Sequence, residues 1–372
     1  MKNSSEPIRV AQIIGKMWAG GVETVIFNYY RNIDRNRIQF DFFYEEDSTV
    51  EPPKELIEMG ARFYKLPPYQ NIRHYIPELR NILRKNKYKI IHSHLNTISV
   101  FPLFAAYCEN IPIRIAHNHS VPGGNEWKRN TLKYILRCFA KVFPTDYFAC
   151  SEKAGRWLFG DKLYDSGRVH VIRNAIDFEK FKNNSNKSQL IERYKLDGKF
   201  VVGHIGRFTY AKNHMFLLSI FKEILKIKSE AILLLVGDGE LHDQIVAKTQ
   251  SLGLSNNVIF VGQTLTPNIY YSIMDVIIMP SHFEGLPLTT IEAQVSGTPI
   301  VLSDVITKET NISINGFKYM SLNDSPKEWA LAGVAIANHR VELLPINENY
   351  DIKKAAPLLA QWYEERVKKL ER

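Results

Sequence analysis

Short apolar runs alternate with longer amphipathic stretches along this chain. Arg9-Val10-Ala11-Gln12-Ile13-Ile14 has strand length; Gly20-Gly21 breaks the chain, and Val22 to Asn32 follows with helical spacing. Further strands are predicted at 40–44, 89–92, 113–116 and 146–149, with helices at 76–87 and 130–143 between them. The polar run Asn183-Asn184-Ser185-Asn186-Lys187-Ser188 interrupts this rhythm and reads as a linker or exposed loop. The rhythm restarts at 200–206 and continues through 232–236, 258–261, 276–279 and 299–302. Strand–helix alternation predicts parallel sheets covered on both faces. The expected architecture is therefore α/β, with two doubly wound domains over 1–178 and 179–350. Ligands of such sheets bind at the carboxyl ends of the strands, which makes a cleft between the domains the natural site. The last segment, 351–372, is helical by pattern, with Leu358, Leu359, Trp362, Tyr363, Val367 and Leu370 at three- and four-residue steps. It is expected to pack back on the first domain.

A length of 372 residues fits two domains. Cys108, Cys138 and Cys150 are few, odd in number and widely spaced, as in a reducing compartment. No apolar region follows Lys2 in the manner of a signal peptide, and no window has the length of a membrane span. The expected location is cytoplasmic, peripheral on the inner membrane face. Charge sharpens this. Residues 1–178 carry 26 Lys/Arg against 18 Asp/Glu, and residues 179–372 carry 22 against 21. The basic first half points to an anionic partner. A basic-aromatic strand motif is lacking, so nucleic acid is not expected.

Five constellations carry candidate chemistry. Gly206-Arg207-Phe208-Thr209-Tyr210-Ala211-Lys212-Asn213-His214 lies between a strand and a helix, placing two cations beside helix-end N–H groups that attract phosphate. Glu284 stands in a Gly/Pro loop and Glu292 in the helix after it. Here the carboxylates suit sugar hydroxyls, and the backbone N–H groups of Leu286 and Leu288 suit phosphate oxygens. Gly20-Gly21 makes a turn into the first helix that lets a ligand approach the backbone, and Glu23 favours that helix N-terminus. His92-Ser93-His94 and His117-Asn118-His119 end two predicted strands. No carboxylate or cysteine nearby completes a ligand set, so polar contacts to substrate are expected rather than a metal. Finally, Arg129, Lys133, Arg137 and Lys141 form a basic stripe opposite Leu132, Ile135, Leu136, Phe139, Val142 and Phe143. That pattern suits either an ordinary surface helix or an anionic membrane.

Together these residues resemble the retaining glycosyltransferases of family 4, which have the GT-B fold of two Rossmann-like domains. The most specific parts are Gly206-Arg207 with Lys212, and the Glu284–Glu292 segment running into Ala293-Gln294-Val295-Ser296-Gly297-Thr298-Pro299. Leu235-Val236-Gly237-Asp238-Gly239 and Val261-Gly262 are lesser matches. The resemblance implies that Arg207 and Lys212 hold a donor diphosphate, Glu284 meets the donor sugar and Glu292 the ribose. It implies that Gly20, Gly21, Gly206, Gly262, Gly285, Leu286 and Leu288 line the donor. It also places His119, or His117 by an ambiguous register, by the transferred sugar. Arg173-Asn174-Ala175 and Ser303-Asp304-Val305 depart from the broad pattern and look like members of bacterial capsule and exopolysaccharide assembly. Transfer from a nucleotide diphosphate sugar, UDP-linked as is common in the class, to a glycan or lipid-linked acceptor is the implied activity. The nucleotide sugar is a co-substrate, and no cofactor or metal is required. A nucleotide-sugar epimerase or a non-catalytic partner subunit of the same fold are the alternatives.

Overall fold

The computed structural model describes residues 6–18, 20–121, 127–182, 186–264, 266–339 and 341–372. They form two compact units, Met1–Ala175 with Asn349–Arg372, and Ile176–Glu348. The change of unit falls on the buried pair Ala175–Ile176 rather than at 178/179. The polar run expected as a linker or exposed loop lies inside the second unit, and Lys187 and Ser188 open the helix Lys187–Tyr194. Residues 183–185 of that run are outside the described residues.

The first unit holds seven strands: β1 (Ile8–Gly15), β2 (Ile38–Glu45), β3 (Arg62–Leu66), β4 (Ile90–Ser93), β5 (Ile113–Asn118), β6 (Asp146–Ala149) and β7 (Val169–Val171). Their order is β3-β2-β1-β4-β5-β6-β7, and every pairing is parallel. Val10 of β1 aligns with both Phe40 and Ile90, so β1 sits at the centre. Strands covered on both faces must be apolar nearly throughout, and Val10 to Ile14 of β1 and all of β4 are buried. The chain runs outward in one direction through β2 and β3 and in the other from β4. The carboxyl ends of β1 and β4 are therefore left side by side with their connections leading apart.

The terminal helix Ile352–Lys368 belongs to this unit. Asp351 caps it by accepting from the Lys353 N–H at 3.0 Å. Its buried face is Ile352, Ala355, Ala356, Leu359, Ala360, Tyr363 and Val367. Small alanines let the helix lie close, while Leu358 and Leu370, expected in the apolar stripe, face solvent. Arg366 pairs with Asp146 at 2.8 Å, and Trp362 packs edge-on against Phe148.

The second unit holds β8 (Val201–Ile205), β9 (Ile232–Val236), β10 (Val258–Gly262), β11 (Val276–Met279), β12 (Ile300–Ser303) and β13 (Phe317–Met320). Their order is β10-β9-β8-β11-β12-β13, again parallel. Its core gathers Leu217, Phe221 and Ile224 of the helix His214–Ile227 with Trp329 of the helix Pro326–Ile336. The central pair is β8 and β11, so their carboxyl ends mark the point where the connections part.

The helix expected at 130–143 runs over Trp127–Phe139 instead. Beyond it, the bonds Ala140 N–H to Arg137 O and Val142 N–H to Phe139 O tighten the chain to three-residue steps. Pro144 then disfavours helical backbone at the residue before it. Lys141 consequently lies past the helix end, not on a four-residue stripe. The Arg129 side chain is outside the described residues. Leu132, Ile135, Phe139 and Val142 are about half exposed, and Leu136 alone of the expected apolar face is fully packed.

Candidate active site

In the second unit, the loops after β8 and β11 meet. Asn213 takes a left-handed φ of 55° and caps the helix His214–Ile227, so the turn Tyr210–Lys212 projects ahead of it. The His282 N–H donates to the Ala211 carbonyl at 2.7 Å, and the His282 ring stacks on Tyr210 at 4.5 Å. Lys212 Nζ then reaches Glu284 Oε1 at 2.6 Å, with the two side chains only 14% and 15% exposed. Ser281 Oγ donates to the same carboxylate oxygen at 3.0 Å, and Ser303 Oγ fixes the Ser281 carbonyl at 2.6 Å. The carboxylate is thus held by a cation and a hydroxyl at the end of β11.

The loop after β9 supports this one from beneath. Phe208 N–H donates to the Asp238 carbonyl at 2.9 Å. Gly237 has φ 138°, and a Cβ there would stand 2.1 Å from the Gly206 carbonyl oxygen. Only glycine fits, because the obstacle is backbone. At Gly206 a Cβ would press on Lys212 Cε at 2.9 Å, so this glycine lets the lysine stem cross. Gly262 pairs with Gly237 in an isolated bridge. Arg207 is half-exposed and pairs with Glu240 at 3.4 Å.

Gly285 and Leu286 are buried and Leu288 half-buried, at the start of the helix Leu288–Val295. Glu292 in that helix is 5% exposed, and Tyr271 donates its hydroxyl to Glu292 Oε2 at 2.5 Å. Burial pushes the Glu292 carboxyl up to about 7, against the opposing pull of the Tyr271 hydrogen bond and Lys212. His214, buried under the loop, is kept neutral by the same cause, down to about 2.

In the first unit, Gly20 caps the helix Gly21–Asn32 in an extended conformation. Glu23 folds back on the turn: its Oε1 accepts from the Trp18 N–H at 2.9 Å, and a Cβ on Gly20 would touch its Oε2. A carboxylate of the chain therefore already serves this turn.

The histidines that looked like two separate pairs form one buried cluster. Alternation along a strand puts residues two apart on one face. His92 stacks with His94 at 4.2 Å and His117 with His119 at 4.0 Å. His92 Nε2 and His117 Nδ1 are 3.0 Å apart, and His94 Nδ1 and His119 Nε2 are 2.9 Å apart. His92 Nδ1 meets the Tyr363 hydroxyl at 2.6 Å, and His94 Nε2 meets Gln12 Oε1 at 2.8 Å. Burial holds all four well below the usual imidazole range, His119 at about 3. Ring nitrogens of His92, His94 and His117 come within 4.8 Å of one another, closer than their sequence spacing suggested for metal ligands. Both nitrogens of His92 and His94, and Nδ1 of His117, are engaged within the cluster or with Gln12 and Tyr363.

Sequence reasoning missed several of these partners. Tyr363 was legible only as a packing residue of an amphipathic helix, and Gln12 only as a polar residue within a strand. Tyr271 and Glu240 had no local signal, since their partners are 21 and 33 positions away in sequence.

Residues 19–180 match the family described as Glycosyltransferase Family 4, and residues 186–332 match Glycosyl transferases group 1. The chain is 31% identical over 335 residues to the putative glycosyltransferase EpsF of Bacillus subtilis (strain 168), across 88% of this chain and 87% of that one. The chain belongs to glycosyltransferase family 4. This family enzyme is also 24% identical to the Escherichia coli UDP-Gal:alpha-D-GlcNAc-diphosphoundecaprenol alpha-1,3-galactosyltransferase, over 82% of this chain and 81% of that one. Its fold matches the crystal structure of Anabaena Alr3699/HepE in complex with UDP-glucose, with a TM-score of 0.73 at 17% identity, over 98% of this chain and 99% of that one. The GT-B fold follows from that likeness and from the two parallel sheets. Both curated relatives carry names of transferases, which favours transfer over the epimerase and partner-subunit alternatives.

A raised carboxyl has a defined linkage. The native Glu292 binds its proton more tightly than the unfolded chain, whose value is the ordinary 4.5. Its contribution to stability is full below that value and is lost as pH rises through about 7. Glu292→Gln keeps the shape and removes the charge. It should therefore raise the melting temperature relative to the parent by more at pH 8 than at pH 5. Thermal melts at the two pH values check this; a larger gain at pH 5 would contradict the burial argument.

Proposed function

We propose that this glycosyltransferase moves a sugar from a UDP-linked donor to a lipid-linked glycan in cell-surface polysaccharide biosynthesis, with retention of configuration. The observation that carries it is the Lys212–Glu284 pair where β8 and β11 end. The names of two similar proteins support the donor and acceptor classes: one was crystallised with UDP-glucose, and the other acts on a diphosphoundecaprenol-linked sugar.

Breaking the bond between the sugar carbon and the diphosphate builds negative charge on the leaving oxygen and positive charge on the ring. Lys212 and Arg207 meet the diphosphate, with the Gly285–Leu288 backbone, Gly206 and Gly262 allowing close approach. Lys212 exchanges its carboxylate partner for phosphate, and Glu284 turns to a donor-sugar hydroxyl. Glu292 serves the ribose. The Gly20–Gly21 turn is a lesser contributor, because Glu23 already occupies its Trp18 N–H. His119, or His117 beside it, polarises a hydroxyl of the sugar. The acceptor oxygen bonds to the ring carbon from the leaving-group face, and its proton passes to a donor phosphate oxygen. Charge on the leaving group is met by two side-chain cations, so this route needs no metal or other cofactor.

The first unit docks on anionic membrane. Leu132, Ile135, Phe139 and Val142 are exposed, as are Phe104 and Tyr107, while Arg137 and the exposed Lys141 supply cations near them. Apolar side chains with cations at and just past the end of a helix fit a headgroup layer of negative charge. Among the described residues no helix is long and apolar enough to cross a membrane.

Lys212→Ala is expected to cut transfer about 100-fold or more, the scale for losing one charge-stabilising donor, with the fold intact. Radiolabelled transfer from UDP-sugars by the purified variant checks this; parental turnover removes the pair from the mechanism. Separately, EDTA should leave most of the parent's activity, and a complete loss restored by magnesium or manganese would overturn the metal-free route. For the membrane, the parent should co-sediment with vesicles containing anionic lipid and release as salt rises. Each basic residue contributes about 1 kcal/mol near such a surface, screened over about 8 Å at physiological salt. The quadruple Arg129/Lys133/Arg137/Lys141→Gln variant should stay in solution, as should Phe139→Gln in part. Equal sedimentation of parent and quadruple variant, or equal binding to neutral vesicles, would dismiss the surface.

A further inference from the structure

The histidine cluster is part of a longer chain of buried hydrogen bonds, of which the transfer reading uses only an end. Gln12 on β1 stands at its middle. Gln12 Nε2 donates to the Tyr363 hydroxyl oxygen at 3.3 Å, and Gln12 Oε1 faces His94 Nε2 at 2.8 Å. From there one arm runs through His94 to His119, and the other through Tyr363 and His92 to His117. All six side chains are buried within the first unit.

A neutral imidazole has one N–H and one bare nitrogen, and a phenol has one hydrogen to give. With every bond made, these counts tie the direction of each one to the orientation of the Gln12 amide. His94 Nε2–H donates to Gln12 Oε1, so His94 Nδ1 accepts from His119 Nε2–H. Tyr363 accepts from Gln12 and gives its hydrogen to His92 Nδ1, so His92 Nε2–H donates to His117 Nδ1. All four imidazoles are then Nε2–H tautomers. Turning the Gln12 amide over reverses every bond and makes all four Nδ1–H tautomers. In either state the ends differ: of His119 Nδ1 and His117 Nε2, one is bare and the other carries hydrogen. Those two nitrogens meet no hydrogen-bond partner among the described residues.

We propose that Gln12 and Tyr363 are positioning residues that lock His92, His94, His117 and His119 into one shared tautomer, so that His117 and His119 end in nitrogens of opposite polarity. The two rings stack at 4.0 Å, and a donor and an acceptor on neighbouring rings suit a hydroxyl, which does both. It does not suit a carboxylate, which only accepts, or an ammonium, which only donates. The complement at that position is therefore a neutral hydroxyl of the sugar rather than a carboxylate or an ammonium. This last step rests on the reading that His119 meets a sugar hydroxyl; the shared tautomer does not.

Long-range proton–nitrogen NMR of the full chain, labelled with ¹⁵N-histidine and assigned with single His→Gln variants, tests it. The parent should show these four histidines neutral and in the same tautomer. Tyr363→Phe keeps the ring and removes the link to one arm. His94 and His119 should keep their tautomer, His92 and His117 should become mixtures, and kcat should fall about tenfold with donor KM unchanged. Gln12→Met cuts the chain at its middle and should release both arms. Differing tautomers in the parent, or an unchanged His117 in Tyr363→Phe, overturns the lock. If His119→Ala retains full turnover, the hydroxyl reading fails instead, whatever the tautomers show.

Discussion

Two strands that end side by side with their connections leading in opposite directions leave a gap that side chains must fill, and in the second unit Lys212 and Glu284 fill it. Neither charge is well solvated, so each requires the other. Removing one partner of such a pair strands the other and costs more than the pair itself contributes. Much of the surrounding structure keeps these two atoms within 2.6 Å. The left-handed Asn213 sets the turn before the helix, Gly206 lets the lysine stem cross, and the β9 loop braces the turn from below. Ser303 reaches from β12 to hold the segment that carries Glu284. On the proposed reading, such a pair suits a ligand carrying both anionic oxygens and hydroxyls, because each partner has a substitute there.

The first unit answers the same topological gap differently. Its central strand ends contribute neutral polar groups in place of an ion pair, and burial keeps them neutral. Gln12 and His92 come from the two strands at the switch point and His94 from just past the end of β4, while the neighbouring β5 supplies His117 and, just past its end, His119. The terminal helix closes the assembly with Tyr363. Neutral groups can be buried without the large penalty of isolated ions, provided their hydrogen bonds are made. Five such bonds in series are a strict requirement on side-chain orientation, and they account for the conformation of residues that carry no charge.

Much of the fold was legible because a parallel strand buried on both faces is apolar by necessity. The runs at 200–206, 232–236 and 276–279 correspond to β8, β9 and β11. β13 was missed because Phe317–Met320 is an edge strand with a lysine in a run of four, too short to show a period. The helix Trp127–Phe139 was misplaced by three to four residues, since helix ends depend on where backbone bonding tightens. At the candidate site, Lys212 and Glu284 were each visible from their loops. Their contact was not, because 72 residues separate them and only the sheet order brings the loops together. Similarly, the histidine pairs could be seen at strand ends, but their merging depends on β4–β5 register and on a tyrosine 271 positions away. The burial of Glu292 by Tyr271 has the same origin.

The helix that carries Tyr363 is made after the whole of the second unit, yet it completes the first. During synthesis at about 5–20 residues per second, the 173 residues of Ile176–Glu348 occupy the ribosome for roughly ten to thirty seconds. Through that interval the seven-stranded sheet lacks the phenol that joins its histidine arms, and the apolar face of Gly21–Asn32 lacks its cover. The first half of the chain must therefore wait, exposed and incomplete, while the second half can already fold. Chaperone engagement during translation should be concentrated on that earlier, unfinished half.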